Sequence, residues 1–190
     1  MLFIILHLAR NFQMSDKYKI VNDELYFCTL TVVGWIDVFT RADYCDEIIK
    51  NFNHCIKEKN LSVYAFCIMP SHIHFIGRVE NGNLSDVLRD FKSYTAKQIL
   101  KMIEENAQES RKEWLLYMFE FFAKNNAHNS KYQFWQQNNH AFHLYSAKLI
   151  AQKVDYIHDN PVEARIVDEP IHYIYSSANE FTELKLSELW

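Results

Sequence analysis

The sequence predicts an α+β sandwich, an antiparallel sheet covered by helices. Three observations lead there. Two runs rich in β-branched and aromatic residues, LSVYAFCIMP (61–70) and HIHFIGRVE (72–80), follow each other directly and break only at Pro70-Ser71. Stretches with apolar residues at helical spacing flank them on both sides. Gly and Pro number three each in 190 residues, so no linker marks a second domain, and 49% hydrophobic residues can supply one core.

The elements follow in order. LYFCTLTVVGWIDVF (25–39) reads as a strand running into a loop. In 42–60, Ile48, Ile49, Phe52, Cys55 and Ile56 recur at helical spacing. After the two central strands and an Asn81-Gly82-Asn83 turn, a helix starts at Leu84-Ser85-Asp86. Leu84, Val87, Leu88, Phe91 and Ile99 form its dry face. WLLYMFEFFAK (114–124) is a helix apolar almost all round, which leaves two uses open: a homodimer contact, or packing within its own chain. KYQFWQQNNHAFHLY (131–145) reads as a strand and its loop. Ser146 caps a last helix that is predicted to stop near Asn160, because Pro161 disfavours helical geometry before it.

Composition excludes some functions. The four cysteines form no CxxC pair, and Cys28 and Cys67 lie in apolar runs, so free buried thiols and a reducing cytoplasm are expected. MLFIILHLARNFQ is apolar for only about eight residues, against the ~20 a bilayer span needs, and lacks a signal-peptide pattern. Residues 1–13 are therefore read as an extension outside the functional unit, with a disordered or added-strand N-terminus as the alternative, and 14–190 as a single domain. A net charge of −4 weighs against non-specific coating of nucleic acid, which needs excess Lys and Arg, but leaves room for a local basic groove.

His72 and His74 are separated by one residue in a strand, so their imidazoles point the same way and can converge on one metal ion while Ile73 anchors the core. By itself this also fits a half-exposed strand carrying two histidines. In VDYIHDNPV, Asn160 lies one helical turn after Tyr156, so a phenol and an amide share a face opposite Ile150, Val154 and Ile157. Alone, the stretch equally fits an amphipathic helix and its closing turn.

Taken together, SHIHF, LSDVLRDFKSYTAKQI, KYQFWQQNNH and VDYIHDNPVEARIV, in that order, resemble the single-tyrosine HUH transposases. The nearest are the REP-associated tyrosine transposases and the transposases of insertion sequences that move as single strands. The resemblance spans about Tyr18 to Ser177 and implies a ferredoxin-like (RRM-like) sheet with helices packed on it. It implies His72 and His74 as metal ligands, Asn160 as the third ligand and Tyr156 as nucleophile. Phe91 and Lys92 match the family's phenylalanine-lysine pair. Tyr94 competes as nucleophile, but the NPV context favours Tyr156.

The chemistry is coherent. A tyrosine that attacks phosphorus conserves the phosphodiester's energy as a 5′-phosphotyrosine and frees a 3′-OH. Unperturbed Tyr has a pKa of about 10, so help from a divalent cation, Mg²⁺ or Mn²⁺, is expected. Single-stranded DNA flanking a hairpin is the implied partner. Arg78, Arg89, Lys92 and Lys97 are candidate phosphate contacts, and Trp135 or Phe134 candidate base-stacking rings, although each also fits an ordinary surface or core position. Two other functions compete: a domesticated single-strand-binding module of the same fold, and a metal-dependent hydrolase that adds Asp159 to the histidines without a covalent step.

Overall fold

Four strands, β1 (Tyr26–Thr31), β2 (Leu61–Met69), β3 (His72–Val79) and β4 (His140–His143), form one antiparallel sheet in the order β2-β3-β1-β4. The computed structural model describes residues 22–124, 131–137 and 140–188. Residues 1–13 lie outside them. Between the strands run α1 (Ala42–Glu58), α2 (Leu84–Glu105) and α3 (Lys112–Lys124), and α4 (Ala147–Glu163) follows β4. Without α3 and α4 this is the βαββαβ order of a ferredoxin-like fold, as predicted.

Strand alternation divides the sheet into two faces. Cys28, Leu30, Phe66, Ile68, Ile73 and Phe75 point to one side, where Ile48 and Phe52 of α1 and Leu88, Phe91 and Ile99 of α2 meet them. Phe52 sits at the centre, with its ring 4.5 Å from Phe91 and 5.3 Å from Phe75. Phe27, Ala65, Cys67, Met69 and Ile76 point to the other side, where Ile150 and Ile157 of α4 cover them. All four cysteines are free and buried.

Side chains cap two helix starts, Ser146 at the position the sequence predicts. Asn83 accepts a hydrogen bond from the Ser85 N–H at the start of α2, and Ser146 accepts one from Leu149 N–H at the start of α4. The end of α4 differs from expectation, because the helix runs through Pro161 to Glu163. Proline here removes one donor in the last turn only, and its buried ring packs inward. Ala164 N–H still donates to the Asn160 carbonyl, and Ile166 N–H donates to that of Pro161.

The predicted strand over 131–145 is also shorter than expected. Its first part is an extended segment whose Phe134 and Trp135 are pulled into the core beside Phe39 and Phe119, touching the end of β1 only at the Val32–Trp135 bridge. On α3, Leu115, Phe119 and Ala123 are buried one turn apart, while Trp114, Tyr117 and Phe121 face outward. The helix therefore packs within its own chain along one face. The loop before it is fixed by Glu109, fully buried, whose carboxylate accepts from Arg41 Nε (2.6 Å), Arg111 Nε (3.2 Å) and Tyr44 Oη (3.3 Å). Burial alone would raise this carboxyl, but the bonds from Arg41 and Arg111 hold it down at about 2. No helix among the described residues is long and apolar enough to cross a membrane.

Candidate active site

His72 and His74 project from β3 toward α4. In the sheet they pair with Thr31 and Thr29 of β1 and with Met69 and Cys67 of β2. Their ring centroids lie 4.6 Å apart. His74 is buried between the Phe27 ring, stacked at 5.3 Å, and the Tyr156 ring at 5.2 Å. His72 is half-buried, edge-on to Trp35 at 5.2 Å. Trp35 is delivered there by a tight turn at Gly34. That glycine has φ +64° and faces the Phe122 ring of α3, 2.6 Å from where a Cβ would stand.

A hydroxyl meets Nδ1 of each imidazole: Thr29 Oγ1 at 2.9 Å from His74 and Ser71 Oγ at 3.2 Å from His72. In the tautomer in which each Nδ1–H donates to its hydroxyl, Nε2 carries the lone pair. Burial pushes both rings well below the ordinary imidazole value, His72 to about 4. His74 falls to about 3, helped after burial by His72 and Lys153. Both are neutral at pH 7, the form that ligates a cation.

Tyr156 arrives from α4. Ile150 and Ile157 bury the helix on the sheet, and Tyr156 Oη comes to 3.5 Å from His74 Nε2, at the outer limit of hydrogen bonding. The phenol is 45% exposed, so a polymer can reach it from solvent. Asn160 follows one turn later and is half-buried. Among the described residues no three His, Cys, Asp or Glu side chains cluster as a metal site. Two neutral imidazoles with hydroxyl-bonded Nδ1 atoms nevertheless suit a divalent cation at Nε2, with Asn160 as the candidate third donor.

The structure separates the other predicted residues from this centre. Tyr94 is exposed on α2, which packs on the opposite face of the sheet, so it is remote from the histidines. Arg89 and Lys97 belong to the same helix. Arg89 pairs with Asp86 and Asp90, and Lys97 lines a cleft of about 450 Å³ between α1 and α2 that also holds Tyr94, Lys50 and His54. That cleft lies across the sheet, and the convergent imidazoles and phenol, not the cavity, mark the chemistry. Lys92 is half-buried, donates to the Gln136 carbonyl, and is pushed down to about 8 by burial. Arg78 shares the histidine face by alternation but stands two strand positions beyond Ile76, paired with Glu80 at 2.8 Å. Trp135 corrects its expectation. It is 5% exposed and its indole N–H donates to Thr95 Oγ1 at 3.1 Å, so its ring is a core element; Phe134, 2% exposed, is another.

Sequence reasoning passed over Phe27, Thr29, Ser71 and Lys153. Ser71 was legible as the hydroxyl next to His72. Lys153 was legible as the position one turn before Tyr156. Phe27 and Thr29 required the strand register, which no short-range pattern provides.

The family model described as "Transposase IS200 like" matches residues 36–137, a span that takes in His72, His74, Phe91 and Lys92 and stops before Tyr156. Among solved structures, a REP-associated tyrosine transposase bound to a REP hairpin superposes with a TM-score of 0.61 at 17% identity, covering 86% of this chain and 82% of that one. A putative transposase from Deinococcus radiodurans R1 gives a TM-score of 0.44 at 15% identity, over 77% of this chain and 97% of the other. No curated protein matches. The family model covers more than half of the chain, and the sheet with its paired histidines is the one that the motifs predict: this chain belongs to the IS200-like family of single-tyrosine HUH transposases.

Proposed function

We propose that this protein cuts and rejoins single-stranded DNA beside hairpin repeats through a covalent 5′-phosphotyrosine at Tyr156. The observation that carries the reading is the 3.5 Å approach of Tyr156 Oη to His74 Nε2, between two elements far apart in sequence. The solved relative bound to a REP hairpin supports hairpin DNA as the partner. The four free thiols suit a reducing cytoplasm.

The chain's residues divide the work. Tyr156 Oη forms a bond to phosphorus as the P–O3′ bond breaks. The phenol proton leaves to solvent, and the departing 3′ oxygen takes one up. Thr29 and Ser71 hold the imidazoles in the tautomer that presents Nε2 toward the reacting phosphate. Phe27 stacks on His74 and keeps water from one side of it. When bound by His72, His74 and Asn160, Mg²⁺ or Mn²⁺ supplies polarisation of the phosphate and stabilises its developing charge. Energy stored in the phosphotyrosine lets a 3′-OH reverse the step, which is rejoining.

The test uses a pool of single-stranded oligonucleotides carrying a stem-loop between randomised flanks, incubated with the full chain and Mn²⁺. The reading expects a denaturation-resistant adduct in which the label on the 3′ side of the cut stays with the protein. Cleavage without adduct would indicate an activated water and a hydrolase. Binding with neither would indicate the domesticated module.

A further inference from the structure

Lys153 stands on α4 one turn before Tyr156, half-buried against three aromatic rings. Its Nζ lies 4.5 Å from the Phe27 ring centroid, 5.0 Å from that of Tyr156 and 5.9 Å from that of Phe142. The first two rings also pack on each other, edge to face at 5.8 Å. The ammonium is therefore held beside the phenol by rings from β1, β4 and its own helix. Rings attract a cation without neutralising it and leave its N–H donors to a ligand.

The charge environment separates Lys153 from the arginines named above. Arg41 and Arg111 bind Glu109, Arg78 binds Glu80, and Arg89 binds Asp86 and Asp90. Lys153 makes no ion pair with a carboxylate among the described residues. Its field reaches His74, where it opposes protonation of the imidazole. Asp155, two positions on, points to a different face of the helix. A cation caged by rings, unpaired, next to an exposed phenol on an acidic protein is complementary to one kind of group, a phosphate brought to that phenol.

We infer that Lys153 is a phosphate-binding residue of the active site, donating from Nζ to a non-bridging oxygen of the scissile phosphodiester. The inference rests on the proposed role of Tyr156. Lys153 makes and breaks no covalent bond and passes on no proton. It offsets the extra negative charge that the phosphate gains as Tyr156 Oη bonds to phosphorus and the P–O3′ bond breaks. The flexible four-carbon stem lets Nζ follow the phosphate.

Two measurements test this with the full chain and the same stem-loop pool. Lys153→Met keeps the stem and removes the charge, so it should fold with an unchanged melting temperature and form adduct roughly 10²-fold more slowly. Lys153→Arg should recover most of that rate. The second measurement needs no cleavage: in a Tyr156→Phe background, anisotropy of the labelled pool is followed against salt. Adding Lys153→Met should make the log–log salt slope shallower by about 0.7, the value of one single-strand phosphate contact. A wild-type adduct rate in Lys153→Met overturns the inference, and so does an unchanged salt slope. If the wild-type chain forms no adduct at all, the transposase reading fails; a slope shallower by that amount then still supports Lys153 as a phosphate contact.

Discussion

Tyr156 Oη and His74 Nε2 are 3.5 Å apart across 82 residues of sequence. β3 supplies the imidazole with a fixed ring plane, and α4 supplies the phenol by burying Ile150 and Ile157 on the same sheet face. The pair is the product of the two-faced sheet: α1 and α2 pack on one face, and α4 packs on the other with Tyr156 exposed at its edge.

The hydroxyl on His74 gives the first prediction. Thr29→Val preserves shape but removes the acceptor for Nδ1–H, so affinity for Mn²⁺ should fall roughly 10–100-fold. His72→Ala and His74→Ala should abolish binding altogether. Titration calorimetry reads both. Unchanged Mn²⁺ affinity in the two alanine variants would remove the metal site from this face.

Burial of Trp135 has a consequence for nucleic-acid binding. Trp135→Phe loses the indole bond to Thr95 and should cost about 1 kcal/mol of stability by denaturant unfolding. Its affinity for single-stranded oligonucleotides should stay at the wild-type level. A large drop in affinity with stability intact would return Trp135 to the binding surface.

Glu109 makes stability depend on acid. Its folded carboxyl is held at about 2, below the ordinary value of 4.5. The unfolded chain therefore binds the proton more readily. The contribution is full above about pH 4.5 and drains away as the pH falls toward 2. Glu109→Gln should lower stability at pH 7 by roughly 1–3 kcal/mol and flatten the acid limb of the melting-temperature profile. An equally steep acid limb in the variant would mean that other carboxylates carry it.

Residues 1–13 are proposed to lie outside the functional unit. A chain beginning at Met14 should melt at the same temperature as the full protein and bind Mn²⁺ equally. A lower melting point or lost solubility would make the segment part of the fold.

Much of this was written in the sequence, and the reasons differ by residue. The element order was legible because strands and helices carry different apolar periods, and His72 and His74 share a face for the same reason. Tyr156 and Asn160 stood one turn apart on a helix whose buried side was already visible. What failed was anything decided by long-range packing. Trp135 fitted either a base-stacking ring or a core position, because a single extended stretch cannot say which partner fills the space behind it; here Phe39, Phe134 and Thr95 do. Pro161 was expected to end its helix on local geometry, but its buried ring and the carbonyls that find donors beyond it let the last turn continue. Thr29 became part of the site only when β1 and β3 were set in register.

The most direct measurement is the identity of the residue that carries the DNA. After incubation with Mn²⁺ and the stem-loop pool, the adduct is digested and the peptide bearing a nucleotide is sequenced by mass spectrometry. The account predicts a nucleotide 5′-phosphate on Tyr156, and no adduct from Tyr156→Phe, which keeps the ring's packing against Phe27 and His74. A nucleotide on Tyr94 or any other residue, or an adduct that persists in Tyr156→Phe, would contradict it.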